Sequence, residues 1–461
     1  MHTFISPCAA SLHGVLYSDD EIVYEFPLLA SCCFAHLCLT NINAQTKKIA
    51  GWANDVLQSP ALKNAHAGIA LYDPSTGKFL YQYQSDKFFV PASNTKIITL
   101  FTALQHLGDS LPAMRYAEND TAIFIKGMGD PSFLYPDFTY QPVFDHLTKT
   151  TKRIYLLPAV NDNERYGPGW GWGDYADYYQ PERNEFPLYG NVAWINYDKR
   201  GYSVAPSFYH HPDYFQLQPD ASAGSPVAGR DERRNFFYLR YRPGDTAKLE
   251  GEVPYITGQL KDIAARLQDT LGKPVWTGVS FPANASIRTM YSLPADTLLQ
   301  PMMHRSDNFF AEQILMMVAA KHWDTISTHK TINMMLNTSL KDLPDTPQWV
   351  DGSGLSRFDL FTPRDFVSVL EKMYKTYSRE KLFPLFATGG KGTLRAYFRE
   401  HPGTVFAKTG TLNGVVALSG YLLTEKGKTL IFSILVNNHH TTSTNVRRET
   451  EKFLMNVRAT Y

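Results

Sequence analysis

The chain has 461 residues, 44% of them apolar and 19% charged, with a formal net charge of +1. That length exceeds what one hydrophobic core usually serves, so two or more domains or sizeable insertions are expected. The balanced charge gives no reason to expect nucleic acid or an anionic membrane as partner, and the sequence holds no zinc-type Cys/His spacing, HExxH or phosphate loop. His210-His211 and His439-His440 are pairs, but neighbours on a strand point apart, so no metal site is expected there.

All four cysteines (Cys8, Cys32, Cys33 and Cys38) fall at the N-terminal end. Among them Phe26 to Thr40 reads FPLLASCCFAHLCLT, a charge-free run of the length of a signal's hydrophobic region. A small-residue cleavage point follows at Ala44. The run is too short to span a bilayer comfortably, so no transmembrane anchor is expected. Asp19, Asp20, Glu21 and Glu25 stand where a signal carries positive charge, which a start codon assigned too early explains. Residues 1–45 are therefore expected to be an export signal or N-terminal extension. A lipoprotein box at Leu29-Ala30-Ser31-Cys32 and a structural segment are the alternatives. Cleavage would leave a protein without thiols, held together by packing alone.

Next, AGIALYDPSTGKFLYQY (Ala67 to Tyr83) sets two alternating strands around a Pro74/Gly77 turn and reads as a hairpin. Ser93 then opens a helix. Ile97, Leu100, Phe101, Leu104 and Leu107 recur at helical spacing, and Gly108 ends it. From residue 111 to residue 285 the texture changes. Aromatics, Pro and Gly become dense, as in GPGWGWGDYADYY (Gly167 to Tyr179), between short strand-like runs such as TAIFIKG (Thr121 to Gly127). This predicts an inserted β-rich region of one or two small domains. Trp170 and Trp172 are expected to pack rather than mark a dinucleotide site, since no third glycine falls in place.

Helical texture returns in LPADTLLQPMMHRSDNFFAEQILMMVAAKH (Leu293 to His322). The chain closes with an apolar hairpin, Val415 to Leu423 and Lys428 to Asn438, and a helix from about Ser443 to Val457. Residues 46–110 and 286–461 are thus expected to form one α+β domain interrupted by the insertion.

Three short motifs carry chemistry. Ser-x-x-Lys occurs at Ser75, Ser93, Ser327 and Ser378, but only Ser93 begins an apolar helix. A helix N-terminus favours negative charge, and Lys96 lies one turn along on the same face. A serine hydroxyl attacks only when a base takes its proton, and a lysine serves only if burial or nearby positive charge depresses its pKa. The bland alternative is an N-cap serine with a solvated lysine. The second motif is Ser306-Asp307-Asn308, in which a hydroxyl could relay a proton and an amide could hold a carbonyl. Its bland alternative is a helix N-cap. The third is Lys408-Thr409-Gly410, beside the terminal hairpin. Its cation and hydroxyl suit a substrate carboxylate, and its glycine lets a substrate backbone lie close. A surface turn is the alternative.

In conjunction and in this order, the motifs resemble those of the serine penicillin-recognising enzymes. The likeness extends to GMGDPSFL (Gly127 to Leu134), GPGWGWGDY, DGSGLSRFDLFTP (Asp351 to Pro363), GGKGTLRAYF (Gly389 to Phe398) and KTGTLNGVVALSGYL (Lys408 to Leu422). These resemble the D-alanyl-D-alanine carboxypeptidase/endopeptidase family related to penicillin-binding protein 4, peptidase family S13. The similarity runs from about Ala67 to the C-terminus and includes the insertion. At Phe358-Asp359 the pattern departs, and no role is assigned there.

The resemblance implies a transpeptidase-like domain, an antiparallel sheet with flanking helices, working on peptidoglycan stem peptides without metal or organic cofactor. It implies Ser93 as nucleophile, Lys96 as base, and Ser306 and Asn308 in proton transfer and substrate holding. Lys408, Thr409 and Gly410 would bind the substrate's end, and the backbone N–H groups of Ser93 and Thr411 would form the oxyanion hole. β-Lactams are then expected as covalent inhibitors, and the periplasm or outer face of a bacterium's cytoplasmic membrane as location. Two other readings stay open: a β-lactamase or esterase on the same chemistry, against which the long insertion argues, and a non-catalytic wall-binding protein.

Overall fold

The structure is a computed structural model that describes residues 45–461. The expected signal run, its cleavage point at Ala44 and the four cysteines lie outside the described residues.

The principal sheet has six strands in the order Ala387–Thr388, Val405–Leu412, Val415–Leu423, Thr429–Asn437, His66–Asp73 and Lys78–Tyr83. Every neighbouring pair is antiparallel. The two terminal portions of the sequence therefore meet in its middle, where His66–Asp73 pairs with Thr429–Asn437. Strand residues alternate between two cores. Ala70, Tyr72, Ala417, Tyr421, Ile431 and Leu435 face one, while Ile69, Leu71, Val416, Leu418, Phe432 and Ile434 face the other. With both faces covered, the central strands read as apolar runs rather than clean alternation.

Helices close both faces. On one side lie Thr95–His106, Asn308–Trp323 and Pro363–Thr376, which supply Ile97, Phe310, Ile314, Phe366 and Leu370 to the core. On the other, Ser443–Thr460 supplies Val446, Phe453, Leu454 and Val457, and a helix ending at residue 57 supplies Ile49, Ala53 and Val56. Asn308–Trp323 is buried along most of its length, from Phe309 to Ala320. This explains its apolar residues on every face.

The chain leaves this sheet through Ser110–Glu118 and returns through Arg288–Pro294, and those two strands pair with each other. Between them a five-stranded mixed sheet is built with Ala122–Gly127, Arg153–Leu156 and Val275–Thr277. Two three-stranded sheets are nested further in, around Ile195, Tyr209, Phe237 and Tyr255. Besides strands this region contains the helices Pro142–Lys149 and Leu260–Leu271. They bury Leu147 and Leu267 against the five-stranded sheet. The dense aromatics and turn residues around them masked their periodicity.

The first helix of the principal core does not start at Ser93 itself. A short 3-10 turn, Ala92–Asn94, precedes Thr95–His106. Ala92 sits in the left-handed region at φ +48, an uncommon place for a residue with a Cβ. Three side-chain hydrogen bonds hold the segment. Thr95 Oγ1 donates to Ala92 O at 3.0 Å, Asn94 Nδ2 to Ser419 Oγ at 2.7 Å, and Thr99 Oγ1 to Gly352 O at 2.6 Å. Gly354, at φ +76, packs so closely that a Cβ on it would lie 1.9 Å from Ala92 O. Gly354→Ala should therefore destabilise the protein well beyond the roughly 1–2 kcal/mol cost of a left-handed residue. Gly390→Ala supplies the contrast, because Gly390 has φ +79 but open space where the Cβ would go. Denaturant midpoints for the two variants should differ clearly, with Gly354→Ala the lower; equal midpoints would mean that the close approach does not constrain the segment.

Candidate active site

The three motifs converge from distant parts of the chain. Lys96 is fully buried, and its ammonium donates to three acceptors. They are Ser93 Oγ at 3.1 Å, Asn308 Oδ1 at 2.6 Å and the Ser353 carbonyl at 2.7 Å. All three are uncharged, and together they use the whole donor capacity of a lysine. Burial pushes the Lys96 pKa down to about 8, against the pull of Asp351, Glu312, Asp307 and Asp359. A solvated head group, the bland reading of this lysine, is excluded by its position.

The Ser306-Asp307-Asn308 stretch divides its work. Asp307 is the N-cap of Asn308–Trp323 and accepts from Phe310 N, so the expected cap is present at the middle residue. Ser306 is in the left-handed region at φ +66, and its hydroxyl accepts from Lys408 Nζ at 2.8 Å. Backbone strain of this kind persists only where surrounding contacts enforce it. Asn308 accepts from Lys96 with one amide atom and donates to Tyr179 O at 3.0 Å with the other. The aromatic segment thus fixes the orientation of that amide.

Lys408, Thr409 and Gly410 lie on Val405–Leu412. Lys408 is fully buried; it donates to Ser306 Oγ and to Thr409 O, each at 2.8 Å. Burial holds its pKa well below the usual lysine value, and the charges of Lys96 and Arg447 add to that. The residues of this strand that face the cleft are Thr409, Thr411 and Leu412. Gly410 packs under Ser93's own segment: a Cβ there would lie 2.6 Å from Pro91 O. Among the described residues the edge of this strand beyond Ala407 carries no partner strand, because Ala387–Thr388 pairs only with Ala407 and Phe406. The cleft holds about 1020 Å³, with Ser93, Ser306, Asn308, Thr409 and Thr411 among its lining residues.

The other Ser-x-x-Lys serines are occupied elsewhere. Ser75 bonds Asp73 in the hairpin turn, while Ser327 and Ser378 cap helices by accepting from Lys330 N and Lys381 N. None lines the cleft.

Several supporting groups were not singled out from the sequence. The Ser353 carbonyl is one, since a backbone acceptor leaves no mark in sequence. Behind it Asp351 accepts from Gly354 N and Ser356 N, each at 2.7 Å, and from Trp170 Nε1 at 3.0 Å. Glu312 accepts from Ser353 N at 2.8 Å and pairs with buried Arg183 at 3.1 Å. Burial, with the nearby Asp351, pushes its pKa up to about 7. The same two causes, burial first, hold Asp359 well above the usual carboxylate range. A lone glutamate inside the apolar run AEQILMM was the available signal for Glu312.

The model of the D-Ala-D-Ala carboxypeptidase 3 (S13) family matches residues 50–460. The chain belongs to that family. It is similar to the D-alanyl-D-alanine carboxypeptidase of Actinomadura sp. (strain R39), at 26% identity over 440 residues, covering 83% of this chain and 80% of that one. It is also similar to penicillin-sensitive carboxypeptidase A of Dictyostelium discoideum, at 23% identity, covering 82% and 83%. The crystal structure of penicillin binding protein 4 from Haemophilus influenzae shares the fold, with a TM-score of 0.68, 20% identity, and coverage of 88% of this chain and 98% of that one. The α+β fold and the hydrolase class expected from the sequence are those of the family.

Only the neutral amine of Lys96 can accept a proton from Ser93. With a pKa of about 8, the neutral fraction at pH 7 is roughly a tenth, against less than about 0.1% for an ordinary lysine. Acylation of the enzyme by a β-lactam should therefore climb as pH rises through about 8 and level off above it. Lys96→Ala should lower the rate by about 10²-fold or more and remove that rise. A flat profile across this range in the wild type would show that Lys96 does not limit proton removal.

Proposed function

We propose that Ser93 attacks the carbonyl carbon of the penultimate D-alanine of a peptidoglycan stem peptide, with Lys96 as its base. The observation that carries this reading is the 3.1 Å contact between Lys96 Nζ and Ser93 Oγ, made by a lysine that is fully buried. As the Oγ–C bond forms, the hydroxyl proton passes to Lys96. The oxyanion is held by the backbone N–H groups of Ser93 and Thr411. The C–N bond then breaks as the Ser306 hydroxyl relays a proton to the leaving amine and regains one from Lys96, which restores the neutral amine for the next cycle, while Lys408 Nζ donates to the Ser306 oxygen. Asn308 holds the Lys96 head group and the substrate carbonyl. Water hydrolyses the ester in a second cycle of the same base.

Thr409 and Thr411 receive the terminal carboxylate, with Lys408 supplying charge from behind; the absent side chain of Gly410 serves the close packing of the strand against Pro91 and Ala92 rather than the approach of a substrate. A β-lactam carries an equivalent carboxylate, and its ring opening keeps the leaving amine tethered, so acylation by penicillin follows from the same geometry. The cleft, at about 1020 Å³, has room for more than a terminal dipeptide. This supports cleavage of cross-links beside removal of the last D-alanine. Stem peptides lie outside the cytoplasmic membrane, which puts the working enzyme in the periplasm or on the membrane's outer face. Among the described residues no helix is long and apolar enough to cross a membrane.

Labelling purified protein with a fluorescent penicillin and mapping the adduct tests the assignment. The label should sit on Ser93 and disappear in Ser93→Ala, with the thermal midpoint within a degree or two of wild type. An adduct on Ser75, Ser327 or Ser378 would overturn the choice of nucleophile. Absence of any adduct would favour a non-catalytic wall-binding protein.

A further inference from the structure

The C-terminal helix Ser443–Thr460, which none of the three motifs includes, contributes one residue to the lining of the cleft. Its Arg447 lines the cleft beside Thr409 and Thr411. The guanidinium lies over the Tyr397 ring, 5.6 Å from the centroid, and donates to Thr411 Oγ1. Two constraints therefore fix its orientation.

The hydrogen bond to Thr411 has a consequence for proton placement. A guanidinium has donors only. Thr411 Oγ1 must accept from it, so the threonine's own O–H hydrogen is left for another partner. Thr411 is exposed and lines the cleft, and among the described residues no acceptor bonds that hydrogen. Thr409 and Thr411 are two apart on one strand, so both point to the same side. The cleft thus meets two hydroxyls spaced by about 6–7 Å along the strand, the second of them turned into a donor by Arg447.

Charge points the same way. The adjacent Arg448 is neutralised by Glu451 at 2.6 Å and also bonds Ala396 O. Arg447 forms no ion pair among the described residues, and its Nε is buried without a partner. Lys408 stands behind the same strand and is affected by the Arg447 charge. The buried acids Asp351, Glu312 and Asp359 cluster around Lys96 instead. The Thr411 end of the cleft therefore presents hydroxyl donors beside a cation that is ion-paired with no carboxylate among the described residues, which suits a carboxylate.

We propose that Arg447 is a positioning and specificity residue for the substrate's terminal carboxylate, acting by orienting the Thr411 hydroxyl and by placing an unpaired positive charge beside it. This rests on the reading of Ser93 as nucleophile with the carboxylate at Thr409 and Thr411. The selection for a free C-terminal acid then comes from the C-terminal helix as well as from the motif strand.

The test compares two acyl-D-Ala-D-Ala peptides, one with a free C-terminal acid and one with a carboxamide, on the full-length enzyme. In the wild type kcat/KM should favour the acid. In Arg447→Gln the acid-to-amide ratio should fall by roughly 10- to 100-fold, the range for a charge-assisted hydrogen bond. Arg447→Lys keeps the charge without the fork and should restore part of the ratio. Thr411→Val should lower the ratio too, and adding it to Arg447→Gln should lower it little further, because the two act as one unit. A purely structural role would cut both substrates alike and leave the ratio unchanged, which would overturn the proposal, as would wild-type kinetics in Arg447→Gln. If penicillin fails to label Ser93 in the wild type, the underlying reading fails first and the proposal falls with it.

Discussion

The site is organised around one buried ammonium. Lys96 comes from the first long helix of the core, and its three acceptors come from a 3-10 turn, a second helix and a loop. A lysine removed from water must have its donors satisfied, because the desolvation cost of an unpaired cation is several kcal/mol. Meeting that demand draws the three segments to one point. The Ser93 hydroxyl, the Asn308 amide and the Ser353 carbonyl are held together by the same burial that lowers the lysine's affinity for a proton. Stability and reactivity are therefore linked at this residue. The surrounding carboxylates keep the shift moderate, so the amine is partly neutral near physiological pH rather than fully so.

A second layer makes the arrangement rigid. Asp351, Glu312 and Arg183 tie the Ser353 loop, the long buried helix and the aromatic segment into one hydrogen-bonded block. Trp170 and Tyr179 enter that block from the inserted region. That region thus contributes to the geometry of the site through three contacts, Trp170 to the acid behind the lysine, Tyr179 to the Asn308 amide and Arg183 to Glu312. Close approach is needed as well, and small residues allow it. Gly354 and Gly410 bring backbone against the segment that carries Ser93.

Much of this was readable in the sequence for physical reasons. The hairpin at Ala67 to Tyr83 and the helix after Ser93 follow local rules of alternation, turn chemistry and helical spacing, and both are present. Ser93 could be separated from Ser75, Ser327 and Ser378 because only it precedes an apolar helix, and the last two do act as the helix caps their residue type favours. The helices Pro142–Lys149 and Leu260–Leu271 escaped because aromatic and turn residues crowd that region. The Ser353 carbonyl and the burial of Lys408 escaped for another reason. Each depends on contacts between residues far apart in the chain, which no local pattern records. Glu312 and Arg447 are intermediate cases. Each is a charged residue on a helix, and only the fold shows that one faces a core and the other a cleft.

The central claim is that burial leaves the Lys96 amine near the point of losing its proton. Its titration can be followed directly by NMR on protein carrying 13C-labelled lysine side chains, with the signal assigned by its absence in Lys96→Met. The account predicts a transition at about 8, apart from the solvent-exposed lysines. A Lys96 signal that titrates with those lysines, near about 10.4, would contradict it.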